Sequence, residues 1–327
     1  MRKIPKIGLA LSGGAARGLA HIGVLKALEE ESIPIDMIAG TSAGAVIGAG
    51  YAKEREAAIL EEIALGVDWK KLAHLVDLNL ILLWKGFVQG QIGCAQWGID
   101  YPLLSLEDLE IPFAVVAADV ESMEEIVINN GSVIDAVRAS ISMPVIFTPM
   151  KWGDKFLIDG GVVNPMPVDV VRNMGAEVVI AVNVLAIAQQ KGHENLTEKK
   201  IKSKPSPRSE DTYSSVVKKR INSLLRENKD KIKVFDELSH IAKTKIYTGR
   251  GKIDPQTPNI FDVLMQSIFA LEYEKIRLAT RIADIVINPD VSHIGTFAFY
   301  KGEEAILQGY KATKDTLPQL QGMIRCP

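Results

Sequence analysis

The sequence has few cysteines, few histidines, no long apolar run and almost no net charge. Its two cysteines, Cys94 and Cys326, cannot build a disulfide framework, which indicates a reducing compartment and a cytoplasmic location. The formal net charge of -2 argues against a general nucleic-acid-binding surface. No run reaches 18 apolar residues, and residues 1–5 lead straight into a predicted strand. We therefore expect neither a membrane span nor a signal peptide.

The chain does have the composition and alternation of a globular α/β enzyme. Its 327 residues are 47% hydrophobic, enough for a substantial core. Strands are predicted at 6–11, 36–39, 112–119, 124–129, 155–158 and 177–184, and helices at 18–31, 43–52, 54–66, 132–141, 167–174 and 258–282. This alternation predicts an α/β fold with a mostly parallel central sheet flanked by helices on both faces.

We expect a single domain over residues 1–327, interrupted by two unusual segments. Residues 189–252 contain 17 basic and 8 acidic side chains, which predicts a basic, partly flexible insertion. This insertion is either a solvated surface or a face that binds anionic lipid. The apolar stretch 78–88, within the less regular segment 69–104, is either a buried helix or a flap beside the active site.

The most informative motif is the G-x-S-x-G sequence from Gly40 to Gly44. An apolar run precedes it and a small-residue helical run follows it, as in a nucleophile elbow that projects the hydroxyl of Ser42. The alternative is a tight turn in which Ser42 only caps the following helix.

A glycine-rich turn joins the first predicted strand to the first helix. The consecutive amides of Gly13, Gly14 and Ala15 can bind an anion or an oxyanion. A dinucleotide fingerprint fits poorly because Ala15 replaces its middle glycine and Asp36 begins rather than ends its strand. The Gly-Lys-Ser/Thr ending of a phosphate-binding loop is absent.

A third motif, Asp159-Gly160-Gly161, ends a short apolar strand. Asp159 suits a catalytic base at the carboxyl end of a sheet, and it also suits an ordinary Asx turn. Of the five histidines (His21, His74, His193, His240 and His293), only His293 lies in a comparable context. This scarcity favours a Ser–Asp dyad.

In this order, the three motifs resemble the patatin-like phospholipase family. Arg138-Ala139-Ser140-Ile141-Ser142-Met143-Pro144 also fits, so the resemblance covers about residues 5–185, and 284–309 resemble the closing strand and helix of the family. Ala15 departs from the pattern, although an alanine amide can still donate.

The resemblance implies a three-layer fold and a lipid acyl hydrolase that needs no metal or cofactor. It assigns Ser42 as nucleophile, Asp159 as base and the Gly13, Gly14 and Ala15 amides as oxyanion hole. The supporting motif residues are Arg17, Gly18, Gly40, Gly44, Gly160 and Gly161. A lipid substrate also implies reversible peripheral contact with the inner membrane face.

Two other functions remain open at this point. One is an α/β-hydrolase-type esterase with the triad Ser42, Asp159 and His293, whose chain order matches that fold. Ser42, however, follows only the second predicted strand, which is too early in the chain for the nucleophile of an α/β-hydrolase. The other is a non-enzymatic module that binds an anion or nucleotide at the glycine-rich loop.

Overall fold

The structure is a computed structural model that describes residues 5–66, 104–144, 146–185 and 260–325. Its strands are β1 (Ile7–Leu11), β2 (Met37–Thr41), β3 (Phe113–Asp119), β4 (Glu125–Ile128), β5 (Met150–Trp152), β6 (Lys155–Asp159), β7 (Val178–Val182) and β8 (Ile285–Ile287). Its α-helices are α1 (Ala20–Glu30), α2 (Ala43–Glu54), α3 (Ala57–Gly66), α4 (Val133–Ser140), α5 (Val168–Asn173), α6 (Ile260–Ala279) and α7 (Gly302–Arg325). Short 3-10 helices span Ala15–Leu19, Leu106–Asp108, Gly160–Val162 and Phe299–Lys301.

The strands form one eight-stranded sheet in the order β5-β6-β3-β2-β1-β7-β8, with β4 also paired to β3. Five neighbouring strands of this sheet are parallel to one another: β3, β2, β1, β7 and β8. The strands β4, β5 and β6 join antiparallel. The prediction of a mostly parallel sheet is therefore confirmed, and the antiparallel strands β4 and β6 both pair with β3.

Helices cover both faces of the sheet, as expected. Alternate residues of a strand point to opposite faces, and in β1 the side chains of Leu9 and Ala10 enter two different cores. Leu9 packs in a large core with residues of α1, α2, α4 and α7, whereas Ala10 packs in a smaller core with residues of α5 and α6. Continuous apolar strands are the consequence, because both of their faces are buried.

Each predicted helix and strand within the described residues is present, with ends that differ by at most three residues. Strand β5 was not predicted, because its three residues leave no room for a periodic pattern. Helix α1 begins two residues later than predicted because a 3-10 turn precedes it.

Both unusual segments fall outside the described residues, apart from residue 104. The insertion predicted at 189–252 and the apolar stretch 78–88 thus remain predictions. None of the helices in the described ranges is long and apolar enough to cross a membrane.

Candidate active site

Ser42 lies on a sharp turn between β2 and α2. Its backbone adopts φ 53° and ψ -118°, a conformation that costs a non-glycine residue about 1–3 kcal/mol. Two contacts hold this turn: the Ser42 amide donates to Ser140 Oγ at 2.7 Å, and α2 packs so closely on β1 that a Cβ on Gly44 would lie 2.2 Å from the Leu11 carbonyl oxygen. The side chain of Ser42 makes no cap on α2, so the capping alternative is wrong.

Asp159 is the direct partner of Ser42. The hydroxyl of Ser42 donates to Asp159 Oδ2 at 2.6 Å, and both side chains are buried. The other carboxylate oxygen, Oδ1, accepts from the Gly161 amide at 2.8 Å. Asp159 therefore makes the Asx-type turn and also bonds to the serine, so the two interpretations of this motif are compatible.

The register of β3 explains why the two residues meet. Thr41, the last residue of β2, pairs with Val116 of β3, and Asp159, the last residue of β6, pairs with Ala117. Because β4 occupies the opposite edge of β3 over these positions, β2 and β6 must lie end to end on the same edge. Their carboxyl ends point at each other, since β2 is parallel and β6 antiparallel to β3.

Burial changes the pKa of Asp159. It raises the pKa of Asp159 from 3.8 to about 6, against the hydrogen bonds from Ser42 and Gly161, which lower the pKa. At pH 7 the carboxylate is thus largely ionised and can accept a proton. Its proton affinity exceeds that of an ordinary aspartate, as suits a general base near neutral pH.

The glycine-rich loop lies against Ser42, and in this conformation one of its three predicted donor amides is already hydrogen-bonded. A Cβ on Gly13 would lie 3.5 Å from Ser42 Cβ. The Gly13 amide, however, donates to the Pro165 carbonyl at 2.9 Å, so in this conformation it is not available to an oxyanion. The described hydrogen bonds include none from the amides of Gly14 and Ala15. In this conformation the Gly14 and Ala15 amides are the two remaining candidate donors, and the three-amide oxyanion hole stays a prediction.

Residues distant in sequence brace the same loop. Arg17 Nε donates to the Ile294 carbonyl at 2.8 Å, and the Ala16 amide donates to the Thr296 carbonyl at 3.0 Å. His21 Nε2 donates to the Ser12 carbonyl at 2.8 Å. Burial lowers the pKa of His21 to about 4, so its ring is neutral at pH 7.

His293 is not part of the dyad in this structure. Its Nε2 lies 2.6 Å from Glu304 Oε1 on the surface, and the described hydrogen bonds of Ser42 and Asp159 include no histidine. His74, His193 and His240 lie outside the described residues.

The family model of patatin-like phospholipases matches residues 9–172, just over half of the chain. The chain belongs to the patatin-like phospholipase family. Ser42, Asp159 and the glycine-rich loop all lie within the matched patatin-like region. The loop-bracing residues Ile294 and Thr296 lie beyond it.

Relatives that match the chain cover a similar share of it. A patatin-like phospholipase domain-containing protein of Caenorhabditis elegans is 36% identical over 191 residues, which are 56% of this chain and 14% of that protein. Patatin-like phospholipase domain-containing protein 6 of Homo sapiens is 38% identical over 186 residues, 54% of this chain and 13% of that protein. An uncharacterized NTE family protein of Mycobacterium tuberculosis is 35% identical over 185 residues, 55% of this chain and 49% of that protein. The chain therefore corresponds to a small part of the animal relatives and about half of the mycobacterial one.

Two residues of the patatin-like site were not predicted to have a role. Ser140 lies in a motif that the resemblance includes, but only the structure shows it accepting from Ser42 and donating to the Val116 carbonyl at 2.6 Å. Glu272 lies on α6, close to Asp159. Its signal in the sequence is an acidic residue on the same helical face as Phe269 and Ile276.

Proposed function

We propose that this chain is a serine acyl hydrolase that cleaves ester bonds of phospholipids or related lipids. The observation that carries the proposal is the 2.6 Å hydrogen bond from Ser42 Oγ to Asp159 Oδ2, formed at a strained turn in a buried site. A hydroxyl held by a carboxylate of raised proton affinity is the arrangement that an activated nucleophile requires.

In the proposed reaction, Ser42 Oγ attacks the ester carbonyl carbon while its proton passes to Asp159 Oδ2. The carbonyl oxygen becomes an oxyanion, which we expect the Gly14 and Ala15 amides to bind. The C–O bond to the alcohol then breaks, and Asp159 returns the proton to the leaving oxygen. Water, deprotonated by Asp159, cleaves the acyl-enzyme in the same way and regenerates Ser42.

The substrate class rests on relatedness. Relatives bear the name phospholipase, and membership of this family supports a lipid ester as substrate. The triad alternative has less support, because His293 is hydrogen-bonded to Glu304 rather than to Asp159. The binding-module alternative does not account for the Ser42–Asp159 bond.

A panel of acyl esters and phospholipids, assayed with wild type and Ser42→Ala, tests this function. We expect Ser42→Ala to lose several orders of magnitude in kcat, since the nucleophile is removed. A fluorophosphonate probe should label wild type and not the variant. The exposed Ser122→Ala is the matched control and should keep both activity and labelling. Near-wild-type hydrolysis by Ser42→Ala would overturn the proposal.

A further inference from the structure

Glu272 is a carboxyl group on the buried face of α6. Phe269, Ile276 and Ala279 pack in the smaller core, and Glu272 lies on their side of the helix at spacings of three, four and seven residues. Only 9% of its surface is exposed. A carboxyl group on this face is unfavourable unless it is neutral or partnered, and sites that retain one are frequently functional.

The Glu272 side chain and the side chain of Asp159, the proposed base, both lie beside Gly161. A Cβ on Gly161 would lie 2.5 Å from Glu272 Oε1 and 3.2 Å from Asp159 Oδ1. Both carboxyl oxygens therefore approach one point, which is open only because residue 161 has no side chain.

No cation described in the structure compensates this pair. Asp159 on β6 is the one charged group that acts on Glu272, and no charged group lowers the pKa of Asp159. Elsewhere on α6, Lys275 acts on Glu125 of β4. On α5, Asp169 accepts from Asn164, and Arg172 pairs with Asp284 at 2.7 Å.

We propose that Glu272 is a positioning residue of the catalytic dyad: as a neutral carboxylic acid beside Gly161, it leaves the charge of Asp159 as the single negative charge next to Ser42. This inference rests on the proposed function for its catalytic meaning, although the proton that Glu272 holds can be measured without catalysis.

The electrostatics agree with this geometry. Burial and the charge of Asp159 raise the pKa of Glu272 from 4.5 to about 8, above the value of about 6 for Asp159. Two carboxyl groups this close titrate as a pair, and between the two values they hold one proton. Loss of that proton would add a second negative charge, which repels both the Asp159 carboxylate and the oxyanion formed at Ser42.

The first test is the pH profile of kcat with a neutral, soluble short-chain ester, which avoids repulsion of the substrate itself. We expect wild-type kcat to be about tenfold lower at pH 9 than at pH 7. Glu272→Gln should abolish this decline because the amide cannot ionise, and Glu272→Asp should retain a decline because it keeps a carboxyl group. Glu274→Gln, on the exposed side of the same helix, should follow wild type. The same ratio of kcat at pH 9 to pH 7 in Glu272→Gln and wild type would overturn the inference.

The second test needs no activity. Unfolding of Ser42→Ala is compared with that of the double variant Ser42→Ala/Glu272→Gln from pH 5 to pH 9. The folded chain holds the Glu272 proton up to about pH 8, whereas the unfolded chain releases it near its ordinary value. The single variant should therefore lose stability relative to the double variant as the pH rises over this window. If the difference in unfolding free energy between the two variants did not change with pH, the role of Glu272 would be contradicted. A wild type that hydrolyses no ester would instead contradict the proposed function alone.

Discussion

At the scale of single residues, the dyad makes an activity prediction for Asp159. Asp159→Asn should be nearly as inactive as Ser42→Ala, because the amide cannot take the serine proton and groups that act as a unit are not additive. The measurement is kcat with one soluble ester. His293→Ala should keep most activity because its partner is Glu304. If His293→Ala were as inactive as Ser42→Ala, the Ser–Asp–His triad would replace the dyad.

The same variant carries a stability prediction whose sign follows from burial. The pKa of Asp159 is raised in the folded chain from 3.8 to about 6, so the stability linked to its proton is present below about pH 4 and is lost as the pH rises through 6. Asp159→Asn cannot ionise and should be more stable than wild type at pH 7 by on the order of 2 kcal/mol. We expect wild type and Asp159→Asn to have equal unfolding free energies at pH 4 and different ones at pH 7. A difference in unfolding free energy that does not change with pH would contradict this prediction.

Single residues differ in how well the sequence predicts them. Ser42 and Asp159 could be predicted because each sits in a local motif of glycines at a strand end. Glu272 could not be assigned a role, since its position on an apolar helical face is visible in the sequence but its approach to Asp159 depends on tertiary packing. Gly13 was expected to offer its amide, and the carbonyl of Pro165, far along the chain, occupies it instead.

At the scale of elements, the loop between β1 and α1 must hold one unusual conformation. Gly14 has φ 154°, and a Cβ there would lie 2.5 Å from Val184 Cγ2. Gly14→Val should therefore displace the loop amides and lower kcat by about 10²–10³, the usual effect of losing an oxyanion donor. Circular dichroism and kcat, measured together, separate a displaced loop from a failed fold.

Gly175→Val is the matched control for this substitution. Gly175 also has a positive φ, 102°, but no heavy atom lies within 4 Å of its Cβ position. It should lose stability through backbone strain and keep its kcat. Gly14→Ala combined with Val184→Ala removes the methyl clash and keeps the strain, so it provides a milder second variant. Unchanged kcat in folded Gly14→Val would exclude this loop from the oxyanion site.

Elements and their order in the sheet also differ in predictability. Periodicity and apolar runs predict the long helices and the central strands, because burial on one or both faces imposes those patterns. They do not predict that β6 meets β2 end to end on the edge of β3, which depends on pairing between strands distant in sequence. Yet this register, rather than either motif, brings Ser42 to Asp159.

At the scale of the whole molecule, the site needs more than the region that matches the family. Ser42 and Asp159 lie within residues 9–172, but Ile294 and Thr296 brace the glycine-rich loop and Glu272 lies close to Asp159. All three come from the C-terminal part of the chain, beyond the predicted insertion. The arrangement of these residues therefore depends on the packing of the sheet with helices on both of its faces.

The last prediction concerns how the whole protein meets a lipid surface. Residues 189–252 carry a surplus of nine basic charges in a chain whose net charge is -2. If this stretch contacts anionic lipid, each cation near the surface adds about 1 kcal/mol to binding, and salt weakens it. The combined charge reversal of Lys218, Lys219 and Arg220 to Glu should then reduce binding to anionic vesicles and spare hydrolysis of a soluble ester.

Reversal of the exposed Lys151, Arg281 and Lys311 makes the same change in net charge and is the matched control. Sedimentation with anionic and neutral vesicles at several salt concentrations measures the effect. Equal losses in the two triple variants would mean that net charge alone drives binding, and equal binding to both kinds of vesicle would leave the stretch as a solvated insertion.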